Sequence, residues 1–526
     1  MFRVLWLLSI GVMIATMNFP AKAEDSAGVA LVTAALERQL QAEFIGDQVP
    51  GGRIADFYAK RRFAPVWTYN GGLSEAANAI VNTMQAAENE GMSPGIYAVP
   101  LDFDTSPQAL AWRDLQLSRA VVRFAEHRAR GQLNPSDLGG DYQQALKAIP
   151  TPSDLLTQVT QGDDPTAALA ALDPDTPDFR RLLDGYGKLQ RVMASGGWPK
   201  VGAGPILRPG MVDLRVPALR RALRAHGDLA EEWENGSLVY DDVLVDAVRR
   251  FQHRHGLSAD GATGHVTLAA LNVPAATRLR QVAVNLDRRR WLPDYPAGRH
   301  FVVNLPAYEV VLMEGDQVIY SSPTVIGSRK HNTPEFSADM TYVVLNPYWY
   351  VPSSIATREI LPKIQEDPEY LARKGMQLFV RGSSNPVDPD LIDWSRLDHM
   401  PFRVRQDTGR DNSLGLVKFM LPNQFNIYLH DTNQKSLFSQ SARAFSHGCV
   451  RLADPVGLAH ILLEQQTGWT REDLVRRMDG QKQRVVTLNT PIPVRIVYHT
   501  AWVDAEGVFH FRPDIYRRDA KLDPKV

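Results

Sequence analysis

Near His300 the spacing of apolar residues changes period, and this change limits what the chain can fold into. Before it, apolar residues recur at helical intervals; after it, they come in short runs broken by turn residues. Two such patterns in long separate blocks predict an α+β multidomain protein, helical first and β-rich last. The 526 residues allow about three domains at ~150 residues each.

Residues 24–205 are predicted to form a helical scaffold. Leu31, Ala34, Ala35, Leu36 and Leu40 begin one amphipathic run after Gly28, and a second holds Ala79, Ile80 and Met84. A third carries Leu117, Val121, Phe124 and Ala125 at helical spacing and ends at Gly131. Pro- and Asp-rich pieces such as Asp173-Pro174-Asp175 separate the runs, and nothing in the block asks for chemistry.

Residues 206–274 are more compact. Pro217 opens a helix that stops at Gly227, and Asp242 is placed to cap a second carrying Leu244, Ala247, Val248 and Phe251 on one face. Gly256 with Leu257 forms its C-cap, and 267–271 gives a last short helix. His253 and His255 have metal-ligand spacing, but lack Cys or acidic partners at ligand intervals. Cations complementing a helix C-terminus are the simpler reading. Residues 275–297 are predicted as a linking helix ended by Pro293. Its run Arg288-Arg289-Arg290 is expected to be a solvated or salt-bridged face.

Strands are predicted in 301–305, in a hairpin of 308–313 with 318–320, and in 342–345, 416–421, 425–430, 485–488 and 494–498. Helical pieces are expected at 455–465 and 472–478. This β-rich domain spans 298–500, leaving 501–526 as a C-terminal tail. Within it, 350–412 is a Pro-, Gly- and Asp-rich insertion with a helical piece at 355–365. A loop of that length in a compact domain is usually functional or disordered. The turn Asp388-Pro389-Asp390 lacks Ca²⁺-loop spacing, and no phosphate loop or metal site is evident, so no cofactor is expected.

The 58 basic and 59 acidic residues leave a net charge of −1, which implies neither nucleic acid nor anionic lipid as a partner. Residues 1–23 begin Met1-Phe2-Arg3, continue through a short apolar run and end Ala21-Lys22-Ala23, the pattern of a cleaved secretory signal. The apolar run falls short of the ~18 residues of a spanning helix, so no stable membrane span is expected after cleavage. The expected location is the periplasm, an oxidising compartment.

The single cysteine, Cys449, has no disulfide partner within the chain, so it is either chemically used or a small inert core residue. It lies in Ser446-His447-Gly448-Cys449-Val450-Arg451-Leu452. His430 lies seventeen residues before His447 and closes the run Phe425-Asn426-Ile427-Tyr428-Leu429. A thiol attacks as its thiolate, and an imidazole can take the proton. Gly448 permits close backbone approach and places amides near a developing oxyanion.

Ser-His-Gly-Cys-Val-Arg preceded by His430-Asp431-Thr432 resembles the signature of the L,D-transpeptidase (YkuD-type) catalytic domain. The segment 247–268, with Ala247-Val248-Arg249-Arg250-Phe251-Gln252 and Asp260-Gly261, is similar to small peptidoglycan-binding domains. The N-terminal block resembles the scaffold of larger Gram-negative family members, and 350–412 their capping segment. The resemblance implies Cys449 as nucleophile and His430 as base, with a backbone carbonyl near Asp431 orienting its ring. His447, two residues from Cys449 and on one face with it in a strand, stays open as the alternative base. Ser446 is expected to fix the turn. Arg451 is expected to hold a carboxylate, favour thiolate or form a structural ion pair. Tyr348, Trp349 and Tyr428 are candidates for substrate contact, plain packing being the alternative for the first two. The implied reaction is 3-3 crosslinking of peptidoglycan stem peptides through a thioester, with a tetrapeptide donor, a diamino-acid acceptor and loss of D-alanine. A hydrolase using water, or a wall-binding scaffold with a dead site, is the alternative. Carbapenems are implied inhibitors.

Overall fold

The computed structural model describes residues 26–45, 52–69, 71–100, 104–296, 298–464, 466, 469–480 and 482–523; the expected signal at 1–23 lies outside them. The chain divides into two compact units. The first holds the described residues up to Ala86 together with Ser93–Glu126 and Pro150–Leu172; the second holds Ala87–Met92, His127–Ile149 and everything from Asp173.

The first unit is helical, with α1 (Ser26–Ile45), α2 (Gly52–Lys60), α3 (Glu75–Gln85), α4 (Pro107–Arg130, up to Glu126), α5 (Pro152–Thr160) and α6 (Pro165–Ala170). A two-residue hairpin, β1 (Thr68–Tyr69) with β2 (Gly72–Leu73), precedes α3. The three expected helices are present. Ser74 starts α3 by accepting the Ala77 N–H at 3.1 Å. Asp114 of α4 is buried but well satisfied, accepting the Trp67 and Thr68 amides at 2.7 and 2.9 Å and the Tyr58 hydroxyl at 2.5 Å.

In the second unit, α7 (Pro177–Ala194) precedes the three short helices α8 (Val216–Ala225), α9 (Asp242–Arg254) and α10 (His265–Leu271). Leu219, Leu223, Leu244, Val248, Phe251 and Leu271 form the core of those three. The α9 cap is Asp241 rather than Asp242; its carboxylate accepts the Leu244 N–H at 3.0 Å. His255 is no solvated cation. It is buried, stacked on Phe251 at 3.8 Å, and burial holds its imidazole well below the usual range, so it stays neutral.

The linking helix is α11 (Ala275–Trp291), and its arginines are buried. Arg288 pairs with Glu335 at 3.2 Å and Asp519 at 3.0 Å, Arg289 with Asp178 at 3.0 Å, and Arg290 with Asp173 at 3.1 Å. The salt-bridged reading of this run holds and the solvated one does not.

The β-rich block is built from β3 (Arg299–Asn304), β4 (Glu309–Glu314), β5 (Gln317–Gly327), β6 (Phe336–Leu345), β7 (Trp349–Tyr350), β8 (Met376–Phe379), β9 (Pro386–Val387), β10 (Arg403–Gln406), β11 (Val417–Met420), β12 (Leu429–His430), β13 (Ala444–Ser446), β14 (Val450–Leu452) and β15 (Arg484–Val497). Nine of these form one sheet in the order β13-β5-β14-β12-β11-β6-β15-β3-β4, and β4 also pairs with β5, so the pairing runs round in a ring. The ring encloses Phe301, Val343, Val417, Phe419, Leu429, Val450 and Leu452, on which Leu458 and Leu462 pack from the helix Pro455–Leu463. The predicted strand 425–430 is shortened to its last two residues. Asn423 accepts the amides of Phe425 and Ile427 at 3.0 and 3.2 Å, and Asn426 is left-handed at φ 54°, so a turn replaces the strand.

The insertion has its own sheet, β7-β10-β8-β9, and its own core of Val351, Ile360, Leu361, Ile364, Leu371, Leu378 and Val404. Its helices are α12 (Ser353–Ile355), a π-helical turn at Ala356–Ile360, α13 (Leu361–Glu366) and α14 (Tyr370–Arg373). Further on come α15 (Pro455–Leu463) and α16 (Arg471–Asp479). Residues after 500, expected as a tail, fold into the hairpin β16 (Ala501–Val503) with β17 (Phe509–Phe511) and α17 (Arg518–Leu522). Ala501, Val503 and Phe511 share a core with Phe179, Leu182 and Leu189 of α7 and Val282 of α11. Among the described residues no helix is long and apolar enough to cross a membrane.

Candidate active site

Strand alternation assembles the site. Side chains two residues apart share a sheet face, and Leu429, Val450 and Leu452 occupy the core face. His430 therefore points the other way, as do its ladder partners Lys418 on β11 and Arg451 on β14. One rung on, the Val450 N–H donates to Tyr428 O at 3.1 Å, which sets Cys449 beside Tyr428 on that same face. By that alternation Cys449, one residue before β14, is set diagonally from His430 of the parallel neighbour β12.

The His430 ring is buried and its tautomer is fixed. Nδ1 lies 2.5 Å from the Asp431 carbonyl oxygen, which can only accept, so Nδ1 carries the hydrogen and Nε2 the lone pair. Burial first, then the cations Arg451, Lys418 and Lys435, bring its pKa down to about 3. Asp431 is itself clamped by the Leu416 N–H at 2.8 Å and Lys435 at 2.5 Å. Only glycine fits at 415, where a Cβ would stand 2.2 Å from the Asp431 carboxylate.

The Cys449 sulfur is half-buried and lies 3.8 Å from Asn426 O, on the turn that replaced the predicted strand. Burial pushes its pKa up, opposed by the Tyr428 N–H and hydroxyl, Lys418 and Arg451. By these directions the thiol and the imidazole both rest neutral. Lys418 sits 3.7 Å over the Tyr428 ring, and the Tyr428 and His430 rings are 5.5 Å apart.

Ser446 does fix the turn: its hydroxyl donates to Cys449 O at 2.6 Å and accepts the Gly448 N–H at 3.1 Å. The Gly448 amide is therefore spent and is not an oxyanion donor, whereas among the described residues no acceptor takes the Cys449 N–H. Gly448 has φ 114°, which breaks the strand between β13 and β14. The premise that placed His447 on one strand face with Cys449 fails for that reason. His447 instead meets the insertion, with Nε2 2.5 Å from Glu359 of the π-helical turn and its ring stacked on His331 at 4.6 Å. Arg451 donates to Gln434 at 2.6 Å and has no carboxylate partner among the described residues, so it is not in a structural ion pair.

The two aromatics before the insertion are engaged in packing. Arg405 covers the Tyr348 ring at 4.4 Å, and Trp349 packs on the insertion core. Lys418 was legible as the polar member of an alternating run, yet carries no motif. Glu359 and His331 lie far from the motif in sequence, and no local signal marks them.

Family models match this chain in three places. Residues 298–492 match the L,D-transpeptidase catalytic domain (YkuD), 52–185 the scaffold domain, and 213–271 the "Putative peptidoglycan binding domain". The chain carries an L,D-transpeptidase catalytic domain. A Haemophilus influenzae protein named "Putative L,D-transpeptidase" is 34% identical over 245 residues, which are 46% of this chain and 49% of that protein. The match thus spans about half the length of that relative. Solved L,D-transpeptidases from Mycobacterium smegmatis and Stackebrandtia nassauensis are similar at 13% and 12% identity. They cover 38% and 57% of this chain and 59% and 96% of theirs, at TM-scores of 0.19 and 0.22, too low to bear on the fold. Within the L,D-transpeptidase domain, the motif cysteine and upstream histidine lie on one sheet face, with the insertion reaching the motif through Glu359.

Proposed function

We propose that the chain is a cysteine L,D-transpeptidase that crosslinks peptidoglycan stem peptides in the periplasm. The observation that carries this is the shared face of Cys449 and His430, the imidazole being held neutral with its Nε2 lone pair free of the Asp431 carbonyl. Cys449 attacks the carbonyl between the diamino acid and the terminal D-alanine of a tetrapeptide while His430 Nε2 takes the thiol proton. The Cys449 N–H receives the oxyanion. Collapse breaks the peptide bond, D-alanine leaves with the proton from His430, and a thioester remains. The side-chain amine of a second stem then attacks the thioester, loses a proton to His430, and releases the thiolate with a 3-3 crosslink. His447, whose Nε2 faces Glu359, serves contact with the insertion rather than proton transfer. Arg451 and Lys418 favour the thiolate as it forms.

The periplasmic location rests on the signal pattern of residues 1–23. The residues that match a peptidoglycan-binding model are proposed to hold the chain at the wall. Carbapenems, whose strained lactam carbonyl suits a thiol nucleophile, are proposed to acylate Cys449. Incubation with disaccharide-tetrapeptide tests the whole reading. Dimers with loss of D-alanine are expected; tripeptide monomers alone would make it a hydrolase, and no turnover would leave a wall-binding scaffold.

A further inference from the structure

The peptide joining Gly448 to Cys449 is a rigid plane whose C=O and N–H point to opposite edges. Its N–H belongs to the proposed oxyanion donor, and its C=O is held from behind. The Thr333 hydroxyl, fully buried, donates to Gly448 O at 2.8 Å and accepts the Gly327 N–H at 3.0 Å, so the oxygen is used in both directions. The loop around Thr333 is tight enough that a Cβ at Gly327 would stand 2.2 Å from His331 O. Two residues of the C-terminal segment grip this loop. Arg518, itself paired with Glu335 at 3.2 Å, donates to Thr333 O at 2.8 Å, and the Tyr516 hydroxyl donates to Gly327 O at 2.5 Å. Both lie beyond the residues that match the catalytic-domain model.

Gly448 makes this grip necessary. With no Cβ, and at φ 114°, it offers little resistance to a flip of the following peptide plane, and a flip would turn the Cys449 N–H away from the sulfur's substrate. A hydrogen bond to the carbonyl opposes the flip and also polarises the N–H of the same amide. We propose that Thr333 is a positioning residue for the oxyanion hole. It locks the Gly448–Cys449 peptide so that the Cys449 N–H meets the tetrahedral intermediate, and Tyr516 and Arg518 hold it in place. This rests on the transpeptidase reading and adds to it a residue that lies 115 positions before Gly448.

The test compares two reactions of the same sulfur. Acylation by a carbapenem or by disaccharide-tetrapeptide passes through an oxyanion; alkylation by iodoacetamide does not. Thr333→Val is expected to slow acylation about tenfold, less than the loss on removing an oxyanion donor outright, with alkylation unchanged. Thr333→Ser, which keeps the hydroxyl, restores acylation. Tyr516→Phe, one contact further back, shows the same selective loss at smaller size and carries the test if Thr333→Val fails to fold. Equal slowing of both reactions, or of neither, would overturn the positioning role while wild-type acylation still upholds the enzyme. Wild-type protein that is alkylated but acylated by neither probe would overturn the transpeptidase reading and this role together.

Discussion

A thiol whose pKa is raised by burial and an imidazole brought down to about 3 both rest uncharged, unlike a pre-formed thiolate–imidazolium pair. Iodoacetamide alkylation of Cys449 should therefore keep rising with pH past the ordinary thiol value of about 8.5. A plateau already reached by pH 7 would mean that the ion pair exists at rest. His430 also links stability to pH. Its folded pKa of about 3 lies below the ordinary 6.5, so the unfolded chain binds more protons between those values. Its contribution to stability is complete above pH 6.5 and is lost as pH falls toward 3. At this scale the placing of Cys449, His430 and Ser446 was legible, because their neighbours lie within a few residues in sequence or along one ladder. His447 was misplaced because one glycine at positive φ cancels the alternation that periodicity assumes. Thr333 and Glu359 left no trace, since their partners lie 115 and 88 residues away.

Between residues and the whole chain, the insertion behaves as a small folded body. Its core around Ile364 is separate from the core enclosed by the strand ring, and it meets the motif through Glu359 on a π-helical turn, a distortion that re-aims a side chain. Ile364→Ala removes a fully buried side chain and should cost about 2–5 kcal/mol locally. Hydrogen exchange would then rise across 353–406 while β6, β11 and β15 keep their protection; loss of protection throughout would show one cooperative body instead. The sequence points to an insertion with one helix and carries no sign of its four-stranded sheet. Strands such as Pro386–Val387 are too short for any periodicity to register. Strands such as β4 and β11 were legible for the opposite reason, since Val310 and Leu312, or Val417 and Phe419, are buried in alternation with less buried neighbours.

Across the second unit, buried arginines join segments distant in sequence. Arg288 and Arg518 converge on Glu335, with Asp519 and Asp141 completing the set, so α11, α17 and the residue that leads into β6 close on shared charges. Breaking such a pair strands a buried carboxylate, and Arg288→Met is expected to cost about 3–5 kcal/mol in denaturant unfolding. A change within 0.5 kcal/mol would mean these charges are balanced elsewhere. Neither the burial of the arginine run nor the folding of residues after 500 was legible, because local charge density signals solvent exposure until its partners are seen. The most direct test of the proposed activity uses a disaccharide-tetrapeptide whose diamino-acid side-chain amine is acetylated, so that no second stem can clear the intermediate. Intact mass should show one adduct equal to the donor less D-alanine, mapped to Cys449 and absent from Cys449→Ala. An adduct on another residue, or D-alanine release that survives Cys449→Ala, would contradict it.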